Sequence, residues 1–245
     1  ICQAARVSYG KGTKSVQNDE GLIRYLMRHW HSTPFEMCEV KFHVKLPVFV
    51  ARQWIRHRTA NVNEYSGRYS ILDREFYIPA PEHLAAQSSQ NHQGRGEVLQ
   101  GAEAQRVLDL LREDAMRSYD SYEAMLSQEG QQGLARELAR MNLPANIYTQ
   151  WYWKVDLHNL LHFLRLRADS HAQYEIRAYA DIMCDITRDW VPAAFGAFQD
   201  YRMNAVNLSA QAADALRRRL AGEVVTQENA GMGAREWREF QAVWG

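Results

Sequence analysis

The stretch from Val40 to Leu46 (VKFHVKL) constrains the fold more than any other part of the chain. Apolar Val40, Phe42, Val44 and Leu46 alternate strictly with Lys41, His43 and Lys45. Successive strand side chains point to opposite faces, so this period requires a sheet with one buried and one wet face. Pro47 follows at once. Its fixed φ and missing N–H suit the first turn of a helix, so the strand is expected to run into a helix over about 47–58. On that helix Val50, Ala51, Trp54 and Ile55 share one sector, and Arg52, Gln53, Arg56 and His57 share the opposite one.

Most other periodic segments are helical. Residues 19–31 read as a helix with Asn18 as N-cap and Asp19 and Glu20 in its first turn. Thr33-Pro34-Phe35-Glu36 reads as a capping box with Thr33 at the N-cap, and Ser170-His171-Ala172-Gln173 as another. A long amphipathic helix is expected over 97–128, a shorter one over 131–140, and others over 156–168, 171–190 and 192–200. Residues 145–155 and Glu75–Pro79 read as strands, 59–71 as a loop or irregular strand, and 86–96 as a mobile surface loop. From Leu208 the tail is helical at first, then weakly patterned and loosely held. The expected fold is α+β, mainly helical with a small antiparallel sheet.

Charge narrows the function. The 245 residues carry 29 basic and 29 acidic side chains, a net charge of zero. Such a protein has no whole-surface field to hold a nucleic acid polymer, so anion recognition must come from local clusters. Cys2, Cys38 and Cys184 are sparse and unpaired in sequence, which fits a reducing compartment and a cytoplasmic location. No apolar run of about 18 residues and no secretory leader occur, so no membrane association is expected. The chain starts at Ile1, and some N-terminal residues are expected to be missing.

The densest chemical signal is Gln53–Arg68 (QWIRHRTANVNEYSGR). Arg56, His57, Arg58 and Arg68 can all carry positive charge, against one carboxylate, Glu64. Guanidinium forks match phosphate oxygens, although a solvated basic face has the same composition. The cluster leaves a helix whose other face is apolar, then enters the polar turn Asn63–Gly67, which suits a ligand-lining loop. A second signal is Asp156–Ala168 (DLHNLLHFLRLRA). His158, His162 and Arg165 line one helical face; a plain polar face and a metal pair at i, i+4 both remain open. Arg167 falls in an apolar sector. It needs either an anionic ligand or a structural partner such as Asp169. Neither Cys38 nor Cys184 has a neighbouring base, and no GxGxxG or GxxxxGK[ST] loop is present.

At these residues the chain resembles the flavin-dependent thymidylate synthases. Their signature, RHR, seven residues, then Ser, stands here as Arg56-His57-Arg58, TANVNEY and Ser66. Residues 33–58, 63–70 and 164–175 also look like the family, and the resemblance runs from about Ala4 to Ala197. It implies a single catalytic domain over residues 1–200 that binds FAD and dUMP, and a helical C-terminal extension over 201–245. It implies FAD contacts from Thr33, Arg56, His57, Arg58, Glu64, His158 and His162. It implies dUMP contacts from Gln53, Arg56, Ser66, Gly67, Arg68, Arg140 and Arg167. Arg167 is expected to favour the ionised N3 of the uracil ring, and Ser66 to bind rather than attack, since no base adjoins it. NADPH and 5,10-methylenetetrahydrofolate are implied as co-substrates, and a homotetramer with sites at subunit interfaces as the assembly. The competing readings are a metal-dependent hydrolase built on His158 and His162, and a non-catalytic nucleotide- or RNA-binding module built on the arginine cluster.

Overall fold

The computed structural model describes residues 1–8, 18–89, 94–127, 130 and 132–245. The alternating segment forms β1 (Glu39–Pro47), with Glu39, Lys41, His43 and Lys45 exposed and Val44, Leu46 and Pro47 buried. Its partner is distant in sequence. β5 (Tyr148–Asp156) runs antiparallel to it, with Glu39 opposite Asp156 and Pro47 opposite Tyr148. A short strand, β2 (Asn61–Glu64), pairs with the other edge of β5, giving the order β1-β5-β2.

The inner face of this sheet packs against α4 (Val48–Trp54) and α7 (Leu157–Arg167), and α8 (Tyr174–Trp190) packs on both helices. Trp54 is wholly buried at the centre, with ring centroids 5.7 Å from Trp151, 5.2 Å from Trp153 and 4.7 Å from Phe163. Truncating such an aromatic to alanine costs about 3–5 kcal/mol. The same packing fixes where α4 can aim the residues that follow it.

Several expected boundaries move. After the short helix α1 (Cys2–Arg6), helix α2 (Asp19–Arg28) is capped by Asn18, whose Oδ1 accepts from Gly21 N at 2.7 Å. The next helix, α3 (Thr33–Glu36), is capped at Ser32, not Thr33, because the Ser32 carbonyl takes the N–H groups of Phe35 and Glu36. Nor does Ser170 cap α8. Asp169 Oδ1 accepts from His171 N at 2.8 Å, which adds a turn and moves the cap to Gln173. Glu75–Pro79 is reduced to one bridge, Phe76 to Ile147. Within 86–96, β3 (Ala85–Gln87) and β4 (Arg95–Val98) form a two-stranded ladder, and residues 90–93, where a mobile loop was expected, lie outside the described residues. Two more helices, α5 (Gly101–Met125) and α6 (Arg136–Ala139), precede β5.

The chain divides into two compact units, Ile1–Phe198 and Gln199–Gly245. The first ends with α9 (Pro192–Phe198). In the second, α10 (Ala210–Leu220), α11 (Gln227–Ala230) and α12 (Ala234–Trp244) share a core of Ala212, Ala215, Val225, Ala230, Met232 and Phe240. The tail is therefore more ordered than its pattern suggests. Small alanines let its helices approach, and Thr226 and Asn229 cap α11 reciprocally. Among the described residues no helix is long and apolar enough to cross a membrane.

Candidate active site

Helix α4 stops at Trp54, four residues earlier than its pattern suggests. Arg56 N and His57 N bond back to Gln53 O and Trp54 O, three residues behind, which tightens and ends the helix. Arg56, His57 and Arg58 thus leave α4 on non-helical backbone. They meet the last turn of α7. Arg167 Nε donates to His57 Nε2 at 3.0 Å. These residues line a cavity of about 390 Å³ together with Thr59, Trp153, Val155, Asn159, His162 and Leu166.

The electrostatics of this pair are defined by burial. The His57 pKa is pushed down to about 4, first by burial and then by the nearby Arg167 and His162. At neutral pH its Nε2 is therefore an acceptor, and the ring proton sits on Nδ1. Burial also lowers the pKa of Arg167, which still keeps its charge at neutral pH. The alternative partner, Asp169, is turned away and holds His171 through both N (2.8 Å) and Nδ1 (2.9 Å). Arg167 is thus held by a neutral group, and its positive charge is left for an anion in the cavity.

A second group forms beyond β2. Ser66 O accepts from Tyr69 N and Ser70 N at 3.1 Å, and Ser66 Oγ accepts from Arg68 N at 3.3 Å. Gly67 is buried in this turn. A Cβ there would stand 3.2 Å from Leu72 and 3.3 Å from Arg140 Cδ, so glycine lets Arg140 approach. Arg68 Nε lies 3.5 Å from Glu137 Oε2, and Arg136 Nη1 donates to Tyr69 O at 2.6 Å. Ser66, Gly67, Arg68 and Arg140 are therefore gathered at one place. The four residues of β2, about 13 Å of strand, separate it from the cavity.

Of the residues expected at a site, Arg56, His57, Arg58, His162 and Arg167 line the cavity. Gln53 sits half-buried on α4, and its Oε1 is buried with no hydrogen-bond partner among the described residues. Thr33 is exposed on α3, which packs on α7. Glu64, at the end of β2, accepts from Thr149 Oγ1 at 2.8 Å. His158 lies on α7 but is not among the lining residues; the cavity row there is Asn159, His162 and Leu166. Trp153, Val155, Asn159, Thr59 and Leu166 also line the cavity and were not among the expected site residues. The first two read as ordinary strand core, and only their position next to His162 across β5 and α7 makes them a wall. Cys184 and Cys2 are buried, and burial raises both thiols, Cys184 to about 11, so neither is a ready thiolate.

An α+β scaffold that brings three arginines and a neutral histidine to a cavity with Trp153 in its wall has the chemistry to take an anionic ligand. Residues 1–193 match the family model described as Thy1, thymidylate synthase complementing protein. A flavin-dependent thymidylate synthase of Ruegeria pomeroyi is 81% identical over 245 residues, covering 100% of this chain and 81% of that protein. Another, of Gluconobacter oxydans, is 67% identical over 243 residues, covering 99% and 80%. Among solved structures, a UMP/dUMP methylase, PolB, from Streptomyces cacaoi bound with 5-Br dUMP superposes with TM-score 0.72 at 30% identity, covering 82% of this chain and 89% of that one. The chain belongs to the Thy1 family, the thymidylate synthase complementing proteins.

Proposed function

We propose that this protein is a flavin-dependent thymidylate synthase. It methylates dUMP to dTMP with 5,10-methylenetetrahydrofolate as carbon donor, FAD as flavin and NADPH as reductant. The observation that carries the reading is the convergence of Arg56, His57 and Arg58 with Arg167 on one cavity. The residues suit a flavin. Trp153, Val155 and Leu166 offer apolar wall to a flat ring, while Arg56, Arg58 and Asn159 offer donors to its polar edge and phosphates. Bound there, the flavin supplies the hydride of the reductive step.

The chain's own residues bind and orient. Arg167, held by His57, faces the uracil edge and favours loss of the N3 proton, since a fixed guanidinium stabilises the resulting anion. That ionisation pushes electron density toward C5, the carbon to be alkylated. Ser66, Gly67, Arg68 and Arg140 grip the nucleotide, and Gln53 on α4 is assigned to it as well. Ser66 has no base beside its hydroxyl among its described contacts, which suits binding rather than attack. Thr33, Glu64, His158 and His162 complete the flavin contacts. The two arginine groups lie at opposite ends of β2, and Tyr69 and Met141 at the second are each 73% exposed. We read this as half-sites completed between subunits of a homotetramer.

The test is direct. Purified protein should carry flavin, with absorbance near about 450 nm, the usual flavin band. With dUMP, methylenetetrahydrofolate and NADPH it should form dTMP. Colourless protein that ignores added FAD, or a flavoprotein that makes no dTMP, would refute the assignment.

A further inference from the structure

Glu175 is a buried carboxylate that the chemistry above does not use. It is 5% exposed, on the first turn of α8. Four hydrogen bonds converge on it. Arg95 Nη2 reaches both carboxylate oxygens, at 2.6 Å and 2.5 Å, Tyr77 Oη donates at 2.8 Å, and Gln173 Nε2 donates at 2.9 Å. Burial alone would raise its pKa, but these bonds hold it below the ordinary value. Only the carboxylate is buried, since Arg95 is 36% exposed, and such a half-solvated pair is a weak source of stability. Its position is more informative.

Each partner comes from a different piece of the site's support. Arg95 belongs to β4, and its Nη1 also donates to His83 O at 3.1 Å, tying the ladder to its own base. Tyr77 is anchored to the approach of β5: its N donates to Asn146 O at 2.8 Å, and its O accepts from Asn146 Nδ2 at 3.0 Å. Its ring lies 5.7 Å from Phe49 of α4, the helix that leads into Arg56-His57-Arg58. Gln173 ends the link that starts at Ala168, directly after Arg167. Arg177 Nη1 holds that link again at Ser170 O, at 2.8 Å.

We infer that Glu175 is a positioning residue, with Arg95 as its counter-ion: together they clamp the α7–α8 link so that Arg167 stays aimed into the cavity at the bond to His57. The inference rests on the assignment of Arg167 to the substrate. A displacement of about 1 Å in a group that orients substrate is enough to lose much of its effect.

The experiment uses the flavin-loaded protein and compares Glu175→Gln, the double substitution Arg95→Met with Glu175→Met, and Arg167→Lys. KM and kcat for dUMP, dUMP-induced change in the flavin spectrum, flavin content and Tm are read for each. Glu175→Gln should raise the KM for dUMP about tenfold, within the range for residues coupled in one hydrogen-bond network, with flavin content unchanged. The apolar double variant should recover Tm without recovering dUMP affinity. Native dUMP affinity in either variant overturns the inference, whatever happens to Tm. Failure of both to give folded protein also overturns it, because the network is then structural. If Arg167→Lys keeps native dUMP binding and turnover, the substrate assignment of Arg167 itself has failed, which is a separate result.

Discussion

The two arginine groups differ in what surrounds their charge. Arg167 is half-buried and bonded to the His57 imidazole, which packs 5.0 Å from the Phe163 ring and is neutral at pH 7. Arg68 stands in solvent against Glu137, with side chains 54% and 57% exposed. A guanidinium fixed by a neutral partner away from water keeps its full charge and its direction. One paired with a solvated carboxylate is screened and contributes little, typically below about 1 kcal/mol. The fold therefore orients the guanidinium of Arg167, whereas that of Arg68 rests on a screened pair.

The largest test of this contrast is Arg167→Lys. An ammonium keeps the charge but lacks the planar fork, so turnover should fall about 100-fold, the range for removing one oriented donor, while flavin content changes little. Equal loss of flavin and turnover would make Arg167 structural and dissolve the contrast. Acid comes next. The His57 pKa lies near 4 in the fold, below the 6.5 of an unfolded histidine. Between these values the unfolded chain binds more protons, so folded stability should fall as pH drops from 6.5 toward 4, then level off. Above 6.5 the group has no effect. Tm measured against pH should lose part of this slope in His57→Gln, and an unchanged slope would refute a buried neutral ring.

Gly67→Ala probes the other group. Its Cβ must push Leu72 or Arg140 aside, at a cost of about 1–3 kcal/mol, so the KM for dUMP should rise about tenfold while the cavity and its flavin stay intact. Kinetics beside a flavin spectrum would separate the two. Glu137→Gln should do least. Releasing Arg68 from a screened pair should change the KM for dUMP by about twofold or less, with a shallower response to salt. A tenfold effect would mean that the exposed pair is as organised as the buried one.

How much of this was legible beforehand depended on whether the signal was local. β1 was, because the alternation of Val40 to Leu46 leaves one way to bury an apolar face. β2 was not: Asn61 and Asn63 have poor strand propensity, and only pairing to Lys154 and Tyr152 of β5 makes them extended. The helix after Pro47 was read too long, since the i→i+3 bonds at Arg56 and His57 and the pull of Arg167 carry no sequence period. Two caps were misplaced by a residue or more because Ser32 and Asp169 competed for the same backbone groups. In the site, charge density pointed to Arg56–Arg58 and an arginine in an apolar sector pointed to Arg167. The bond joining them spans 110 residues and is a property of the fold alone. Glu175 gave no sign either, since its partners Arg95 and Tyr77 lie 80 and 98 residues away.

The tryptophan cluster beneath the cavity has an optical consequence. Trp153 forms part of the cavity wall, and its ring lies 5.2 Å from that of Trp54, itself 5.7 Å from Trp151. Dipole coupling at such separations shares excitation among all three indoles, so an absorber resting on Trp153 drains the emission of the whole set. Filling the cavity with such an absorber should therefore dim the share of tryptophan emission that comes from these three of the seven indoles.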